Sequence, residues 1–526
     1  MNPIKSIQAR IDGWKNTRKS RYWEYTKYYK DGEVWENVFL LESFGGSNFQ
    51  GNPYYIYKEL LPLAKKERIS IAIAHKNPEK LHEELSARDL ICPSVQIVEI
   101  HSAEYRKVLS HAKYLVNNVS FSMDFIKKEG QIYLNTWHGT PLKTLGKSIA
   151  NDPFACVNGQ RNFLMSDYLL APNTLTKDVF ENEYMVKDIM PGELFLGGYP
   201  RNEIFFDEKT RERVKAKYGL NGVRSILYMP TWRGDANAVK KVDQVSDIER
   251  LAKELGEGYR VYVKFHPAMK TAGTGFTYCH QAPTDIEVYE FLNAVDILIT
   301  DYSSVLFDFA NAGNEIILYQ YDKEEYFKER GTYQEAEENI SFKTAYTFDE
   351  LLEFVKKANK EKYPAFLERF CAYDHARAAK TAVDKLLQGK PVHNGKTVDL
   401  YVIDFPITKE ELLEMQSKLA GETYRFAFVL GRYSYAFEQI RIWEKLDYTS
   451  LNVYNRLTPK ERRKEAWLRF VYALFKSKRA LAKLQALGAR ERKRLFGDIK
   501  IGNIYAKGKR LPTAVRYEAR AWREDL

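Results

Sequence analysis

The sequence predicts an α/β protein with two doubly wound domains in tandem. Short apolar runs alternate with amphipathic helical stretches from Val38 onward, and a second alternation of the same kind starts near Arg224. This alternation is typical of a mostly parallel sheet with helices on both faces. Glycine and proline interrupt the pattern at residues 197–200, where we place the linker. Two such domains would meet across a cleft.

The first domain is expected to contain six strands and four helices. The strands are predicted at residues 38–42, 69–74, 95–100, 114–118, 131–137 and 168–171. The helices are predicted at residues 54–64, 78–88, 103–112 and 161–165, and a helix-compatible run covers 142–147. Glycines follow the first strand without the spacing of a dinucleotide fingerprint, so we interpret them as a loop that borders the cleft.

The second domain repeats the pattern, and a different kind of segment follows it. Its strands are predicted at residues 225–229, 260–265, 297–300 and 315–319, and its helices at 248–254, 286–294, 304–312, 348–358 and, as one long segment, 365–388. Beyond these, two strand-like runs precede an amphipathic helix at 465–487. We divide the chain into a basic aromatic helical lead-in (1–35), two α/β domains (36–197 and 198–390) and a basic, helix-rich accessory domain of unknown role (391–526).

The net charge of +11 belongs to the C-terminal part of the chain. Residues 456–526 contain 21 Lys and Arg against seven Asp and Glu, a charge of +14, so the remainder carries −3. A basic tail can bind nucleic acid, anionic lipid or a polyanionic substrate. The lead-in and the 465–487 helix could rest on a membrane surface or pack on the protein as ordinary helices. No apolar run is long enough for a transmembrane helix, and no signal-peptide core is expected.

His138 lies at a strand-to-helix turn that suits catalysis. The strand-like run 131–134 leads into it, and Gly139, Thr140 and Lys143 follow closely. Ligands in open α/β sheets bind at the carboxyl ends of strands. Because the unperturbed pKa of imidazole is near neutral, His138 can serve as a general base.

Three turns of the second domain carry groups that could bind phosphate. Arg233 follows the first strand, Lys264 and His266 follow the second, and Ser303 with Ser304 opens the helix after the third. Unpaired amide groups at a helix start favour an anion, although the serines could simply cap the helix. His266 could equally be a structural histidine and Arg233 a surface cation. No HExxH or Asp-rich pattern indicates a required metal.

Taken together, these stretches resemble a known family. The matching segments, in order, are QIYLNTWHGTPLKTLG (131–146), QRNFLMSDYLLAPN (160–173), GYPR (198–201), YMPTWR (228–233), KFHP (264–267) and TDYSSVLFDFA (300–310). The chain resembles the bacterial CDP-glycerol glycerophosphotransferases, which are teichoic-acid and capsule polymerases and primases. The resemblance covers roughly residues 38–388. Where the family often has a late phosphate-binding arginine this chain has Thr381, so we assign no residue to that role.

The resemblance implies a GT-B-like fold of two Rossmann-like domains and transfer of glycerol phosphate from CDP-glycerol to a hydroxyl, with release of CMP. It implies that His138 is the catalytic base and that His266 acts at the donor phosphates. The implied donor side comprises Ser303, Ser304 and Asp308. From their own chemistry at the strand ends we add Lys264 and Arg233 to the donor side, and we interpret Trp137, Gly139, Thr140 and Lys143 as the acceptor-side wall of the cleft.

Three alternatives to this activity are open at the level of sequence. The donor could be CDP-ribitol, the enzyme could be a GT-B glycosyltransferase that uses a nucleotide sugar, or the basic tail could make the chain a nucleic-acid-binding protein. We expect CDP-polyol, a polyprenyl-linked or polymeric acceptor and an anionic membrane surface as partners, with no specific nucleic acid. The expected location is the cytoplasmic face of the bacterial membrane, as a peripheral protein.

Overall fold

The structure is a computed structural model of the 526-residue chain. It describes residues 32–122, 130–149, 157–184, 192–231, 245–265, 276–360 and 362–389, together with short pieces between them. Beyond residue 391 it describes four strands and two isolated positions, Trp467 and Arg479, and before residue 32 it describes Tyr25 and Tyr28.

The first domain is built on a seven-stranded sheet in which all the neighbouring strands are parallel. Its strands are β1 Trp35–Glu42, β2 Ser70–His75, β3 Val95–Glu99, β4 Ala112–Asn117, β5 Ile132–Asn135, β6 Tyr168–Ala171 and β7 Glu193–Leu196, in the order β3-β2-β1-β4-β5-β6-β7. Its helices are α1 Asn52–Lys65, α2 Pro78–Ser86, α3 Ala103–His111, α4 Val157–Met165 and α5 Thr174–Asn182. The six predicted strands are confirmed, whereas α5 and the half-buried edge strand β7 were not predicted.

The second domain has a parallel six-stranded sheet. Its strands are β8 Arg224–Met229, β11 Tyr259–Val263, β12 His280–Gln281, β13 Ile297–Thr300, β14 Glu315–Tyr319 and β15 Lys343–Ala345, in the order β12-β11-β8-β13-β14-β15. The two strands between β8 and β11 in the chain, β9 Arg233–Asp235 and β10 Ala238–Lys240, pair with each other as a separate hairpin. Its helices are α6 Glu208–Lys217, α7 Val245–Leu255, α8 Val288–Asn293, α9 Val305–Phe309, α10 Lys323–Arg330, α11 Gln334–Asn339 and α12 Phe348–Lys356. The central strands are buried on both faces, which explains why they appear in the sequence as continuous apolar runs.

The predicted long helix over 365–388 is wrong, because the chain breaks it into α13 Pro364–Phe370 and α14 Ala378–Leu387. Asp374 lies in the break. Its carboxylate accepts hydrogen bonds from the amide of Tyr199 and from the side chains of Asn202 and Asn311, at 2.9–3.0 Å. These bonds hold the break against the linker between the domains.

Helix α14 returns to the first domain and ties the two domains together. It packs against α1, and Lys385 pairs with Glu193 of β7 at 2.8 Å. The hydroxyl of Tyr168 donates to the carbonyl of Gly389 at 2.7 Å. One contiguous cluster of buried apolar side chains extends through both domains. The cleft is therefore held between two bodies that share a core.

The accessory segment contains the two strands predicted for it, at residues 400–405 and 425–430, together with two strands that were not predicted. Its described strands, β16 Thr397–Ile403, β17 Tyr424–Phe428, β18 Ile501–Ala506 and β19 Lys509–Glu518, form a mixed sheet in the order β17-β16-β19-β18. The described part of this segment is thus mainly strand rather than helix. Trp467 and Arg479 are helical, and the rest of the predicted 465–487 helix lies outside the described residues.

The lead-in at residues 1–35 is described at few positions. Tyr25 is helical and fully buried, and its ring packs edge-on against Phe125 at 6.2 Å between centroids. This contact favours packing on the first domain for that part of the lead-in. Of the helices that the structure describes, none combines the length and the apolar character needed to cross a bilayer.

Candidate active site

The two sheets direct their carboxyl ends toward a common cleft. In the first sheet the strand order reverses between β1 and β4, and in the second it reverses between β8 and β13. Ligands of open α/β sheets bind outside such switch points. The loops after β4 and β5 place Asn118 and His138 at the first edge, and the loop after β13 places Ser303 and Ser304 at the second. The switch points therefore mark the two walls of the candidate site.

His138 is partly buried and has a defined tautomer. Its Nδ1 lies 3.0 Å from the carbonyl oxygen of Asn118. Because a carbonyl can only accept, Nδ1 carries the proton and Nε2 keeps its lone pair. Burial, helped by the nearby charge of Arg201, lowers the pKa of His138 to about 4, although the bond to Asn118 opposes the shift. The imidazole is therefore neutral at physiological pH and able to accept a proton at Nε2.

Two aromatic residues with a strained backbone flank this imidazole. The ring of Trp137 lies 4.2 Å from the ring of His138 and that of Phe44 lies 6.1 Å from it. Both residues have positive φ, 52° for Trp137 and 47° for Phe44. Left-handed backbone is costly for bulky residues and concentrates at functional sites. The strained backbone at these two residues therefore holds the turn that carries His138 in one conformation.

An ion pair behind the turn joins the two domains. Arg201, which directly follows the linker, donates to the carbonyl of His138 at 2.9 Å and to Asp308 at 2.8 Å. Both side chains of the pair are nearly inaccessible, with exposures of 1% and 3%. Tyr289 also donates to Asp308, at 2.8 Å. The main chain of the catalytic turn is thus anchored to a buried carboxylate of the second domain.

The walls of the cleft meet at Gly139. A Cβ atom built on Gly139 would lie 2.5 Å from the Ser304 Oγ and 3.0 Å from the Ser304 Cβ. Only a residue without a side chain permits this approach. The Ser304 side chain makes no capping bond to its own helix α9, whereas the Ser303 hydroxyl accepts from the Val305 amide at 3.4 Å. The Ser304 hydroxyl therefore faces the first domain.

The loop after Gly139 is fixed to the second domain rather than folded as a helix. The predicted helix-compatible run at 142–147 forms only a 3-10 turn, Gly146–Ser148. The carbonyl of Leu142 accepts from the Thr332 hydroxyl at 3.0 Å and from the Tyr333 amide at 3.2 Å. The hydroxyl of Tyr333 accepts from the amide of Leu145 at 2.9 Å. These hydrogen bonds to Thr332 and Tyr333 hold the segment as a loop in place of the helix that its sequence allows.

The donor-side edge is built around β8, β11 and β13. The Asp301 carboxylate accepts from the amide of Thr231 at 2.8 and 3.1 Å, which joins the loops on either side of the second switch point. Lys264 follows β11 directly. Burial lowers the pKa of Lys264, and the charge of Glu287 opposes the shift. A desolvated ammonium group at a strand end gains by pairing with an anionic ligand.

Several predicted site residues take other roles. Asp308 is not a phosphate contact in this arrangement, because its carboxylate is buried and bonded to Arg201 and Tyr289. Trp137 is 7% exposed and packs among Phe163, Phe180 and Tyr184, so its bulk belongs to the core.

The remaining predicted site residues lie in different parts of the structure. Thr140 is buried and its hydroxyl accepts from Asn173 at 2.8 Å. The Lys143 ammonium lies 5.5 Å from the ring of Tyr326 in the second domain. Arg233 begins β9, where only its main chain is described. His266 lies outside the described residues, so its role stays a prediction.

Sequence reasoning missed the residues that join the walls. Arg201 belongs to the GYPR stretch, but nothing in the sequence indicates that it pairs with a residue 107 positions away. Glu287 accepts from the amide of Gly51 at 3.2 Å and from the hydroxyl of Tyr55 at 3.1 Å. Asn118 follows β4 directly, and a polar residue at a strand end was the signal that could have identified it.

Comparison with known proteins identifies a family model and several relatives that this chain resembles. The family model described as "CDP-Glycerol:Poly(glycerophosphate) glycerophosphotransferase" matches residues 26–388. The teichoic acid poly(glycerol phosphate) polymerase of Staphylococcus epidermidis is 29% identical over 402 residues, which are 72% of this chain and 53% of that protein. The polymerase of the same name from Bacillus subtilis is 28% identical over 68% of this chain and 49% of its own length. The chain thus spans about half the length of these two relatives.

A solved structure agrees over a larger share of its own length. The wall teichoic acid polymerase TagF, in a variant soaked with CDPG, superposes with a TM-score of 0.60 at 27% identity. The superposition covers 74% of this chain and 97% of that one. The fold is therefore GT-B-like, with two Rossmann-like domains that face a central cleft.

Proposed function

Because the chain belongs to the CDP-glycerol:poly(glycerophosphate) glycerophosphotransferase family, we propose that it transfers glycerol phosphate from CDP-glycerol to a hydroxyl of a lipid-linked or growing teichoic-acid or capsule-type polymer. CMP is released in the reaction. The observation that carries the proposal is the neutral His138 with a free Nε2 at the wall that faces Ser304.

The chemistry follows from the two walls. The acceptor hydroxyl attacks the β-phosphorus of CDP-glycerol while His138 removes its proton at Nε2. A new P–O bond forms as the bond between the β-phosphorus and the bridging oxygen breaks, and its electron pair leaves with CMP. Transfers of this kind depend mainly on positioning and on stabilising charge. The anchoring of the catalytic turn to Asp308 through Arg201 provides the positioning.

Positive and hydrogen-bonding groups on the donor side supply the charge stabilisation. Lys264 and the hydroxyls of Ser303 and Ser304 lie at strand ends of the second sheet. We assign them to the phosphates, with His266 beside Lys264 in the sequence and Arg233 as a further cation. With these groups the enzyme is proposed to need no metal, and transfer should persist in excess EDTA.

The donor is proposed to be CDP-glycerol rather than CDP-ribitol. The first relatives are named for glycerol phosphate, whereas the teichoic acid poly(ribitol-phosphate) polymerase of Bacillus spizizenii is 25% identical over 67% of this chain. A panel of CDP-glycerol, CDP-ribitol and UDP-sugars, scored by nucleotide release, separates these donors and the glycosyltransferase alternative.

Attachment to the cytoplasmic face of the membrane is proposed to involve the basic accessory segment, through its charge. The full chain should sediment with vesicles that contain anionic lipid and should stay in solution with neutral ones, because headgroup attraction is electrostatic. Equal sedimentation with both kinds of vesicle, or salt-sensitive binding to DNA in their place, would contradict this assignment.

Replacement of His138 tests the proposed chemistry. His138→Ala should lower CMP release at saturating CDP-glycerol and acceptor by about 100-fold or more, because general bases contribute about 10²–10⁴-fold. His75→Ala is the matched control. His75 also ends a strand, and its Nδ1 lies 2.7 Å from the carbonyl oxygen of Asn77. Near-normal turnover by His138→Ala with a functional acceptor would refute the assignment.

A further inference from the structure

The first switch point contains a residue that the proposed mechanism leaves unused. Asn118 follows β4, and Phe44 lies just beyond the end of β1, on the other side of the crevice. The amide of Phe44 donates to the Asn118 Oδ1 at 2.8 Å. This bond bridges the two loops where a ligand of an open sheet is expected.

Two of the three hydrogen-bonding groups of Asn118 that face the site position its neighbours. The main-chain carbonyl fixes the tautomer of His138, and the side-chain carbonyl holds the strained loop at Phe44. The third group is the side-chain amide. Within the part of the chain that the structure describes, no group accepts a hydrogen bond from the Asn118 Nδ2, although Asn118 is fully buried. A buried donor without an acceptor costs stability, so such a group calls for a functional explanation.

The surroundings of this amide have room for one more atom. A Cβ atom built on Gly51 would lie 3.8 Å from the Asn118 Nδ2, 3.6 Å from the Phe44 ring and 3.9 Å from the Arg201 Cδ. These are ordinary contact distances, so the space beside Gly51 accepts a group of methyl size. It is bordered on one side by the ring of Phe44, which also contacts His138. An oxygen atom in this space would meet the free amide near the catalytic imidazole.

We propose that Asn118 contacts the acceptor, with Nδ2 donating a hydrogen bond to an oxygen of the polyol-phosphate unit whose hydroxyl is activated by His138. The proposal rests on the function proposed above and adds an acceptor subsite to it. The bonded oxygen is either the hydroxyl next to the attacking one or an oxygen of the adjoining phosphodiester. The strained loop at Phe44 and the side chain of Asn118 then form one side of the acceptor pocket, and Gly51 leaves the space for it.

Kinetics with Asn118→Asp and Asn118→Ala test the contact. Aspartate keeps an oxygen for the Phe44 amide but has no N–H group, so it cannot donate a hydrogen bond to the acceptor oxygen. Asn118→Asp should raise the KM for a short poly(glycerol phosphate) acceptor at least tenfold and leave the Kd for CDP-glycerol, measured by calorimetry, within twofold of wild type. Asn118→Ala should raise the same KM without changing the affinity for CDP-glycerol. A residue with only a structural role would lower kcat or both affinities together.

Acceptor analogues identify the oxygen and need no variant. One analogue lacks the neighbouring hydroxyl, and the other carries a methylphosphonate in place of the adjoining phosphodiester. Wild type should use one of them at least tenfold less well than the parent acceptor, and in a folded Asn118 variant that penalty should disappear. If wild type uses both analogues as well as the parent, the proposal is wrong, even if neither variant folds. Failure of wild type to release CMP from CDP-glycerol with the parent acceptor would instead refute the underlying function.

Discussion

The Asp308→Asn substitution tests whether the buried ion pair between Arg201 and Asp308 organises the active site. Asp308 pairs with Arg201 at 2.8 Å, and both side chains are almost inaccessible. Burial raises the pKa of Asp308 while the Arg201 charge opposes the shift. Asparagine keeps the shape but leaves the Arg201 guanidinium without its counter-ion.

The size of the effect can be worked from this geometry. Removing one partner of a buried pair costs about 3–5 kcal/mol, because the remaining charge is uncompensated. Since asparagine still accepts one hydrogen bond, we take the lower end, about 3 kcal/mol. For a domain of about 200 residues each kcal/mol shifts Tm by about 2–4 °C. The expected fall in Tm is therefore about 6–12 °C.

Thermal unfolding followed by circular dichroism measures this shift, with Asp384→Asn as the matched control. Asp384 pairs with Lys380 on the surface of α14, where the two side chains are 51% and 39% exposed. Such pairs contribute about 0–1 kcal/mol, so the control should stay within about 4 °C of wild type. If Asp308→Asn leaves Tm unchanged while weakening CDP-glycerol binding tenfold, the carboxylate contributes to donor binding and the structural assignment is refuted.

Two further predictions concern the catalytic turn. The pH profile of kcat/KM should have its acid limb near pH 4, because burial lowers the pKa of His138 to about 4 and the unprotonated form is active. A limb near the unperturbed pKa of about 6.5 would contradict the burial of His138. Because the pKa of His138 is lower in the folded state, the unfolded state binds one proton more than the folded state between about pH 4 and pH 6.5. The free energy of unfolding should therefore fall as pH drops from about 6.5 to 4. His138→Gln should flatten that pH dependence in urea unfolding. Gly139→Ala should lower kcat at least tenfold, since its Cβ would lie 2.5 Å from the Ser304 Oγ and would separate the walls. Gly258→Ala, whose Cβ meets no atom within 4 Å in the described structure, is the control, and equal kcat values for the two variants would show that the walls need not touch.

The sequence supports prediction best where a signal is local. Strands β13 and β14 are predicted with their observed bounds, because each is a short apolar run buried on both faces. The turn at His138 is also predictable, since it combines a strand end with glycine and a hydroxyl. Edge strand β7 is only half-buried along its length, so its sequence has no long apolar run that would indicate a strand.

The connections that organise the site depend on distant partners. The break between α13 and α14 is stabilised by Asp374, whose partners Tyr199, Asn202 and Asn311 lie more than 60 positions away. Arg201 reads in the sequence as one more cation, and only folding shows that it is buried against Asp308. The role of Asn118 is equally hard to predict, because the periodicity of a sequence does not reveal which polar group of a residue lacks a hydrogen-bond partner.

The return of helix α14 to the first domain affects how the protein is made. The face of α1 that α14 covers is synthesised roughly 300 residues before its partner. At about 5–20 residues per second, the nascent first domain carries that apolar face uncovered for about 15–60 s. During this interval α1 is open to contact with other nascent chains on the same message. The last helix of the family region thus limits when the first domain can complete its folding.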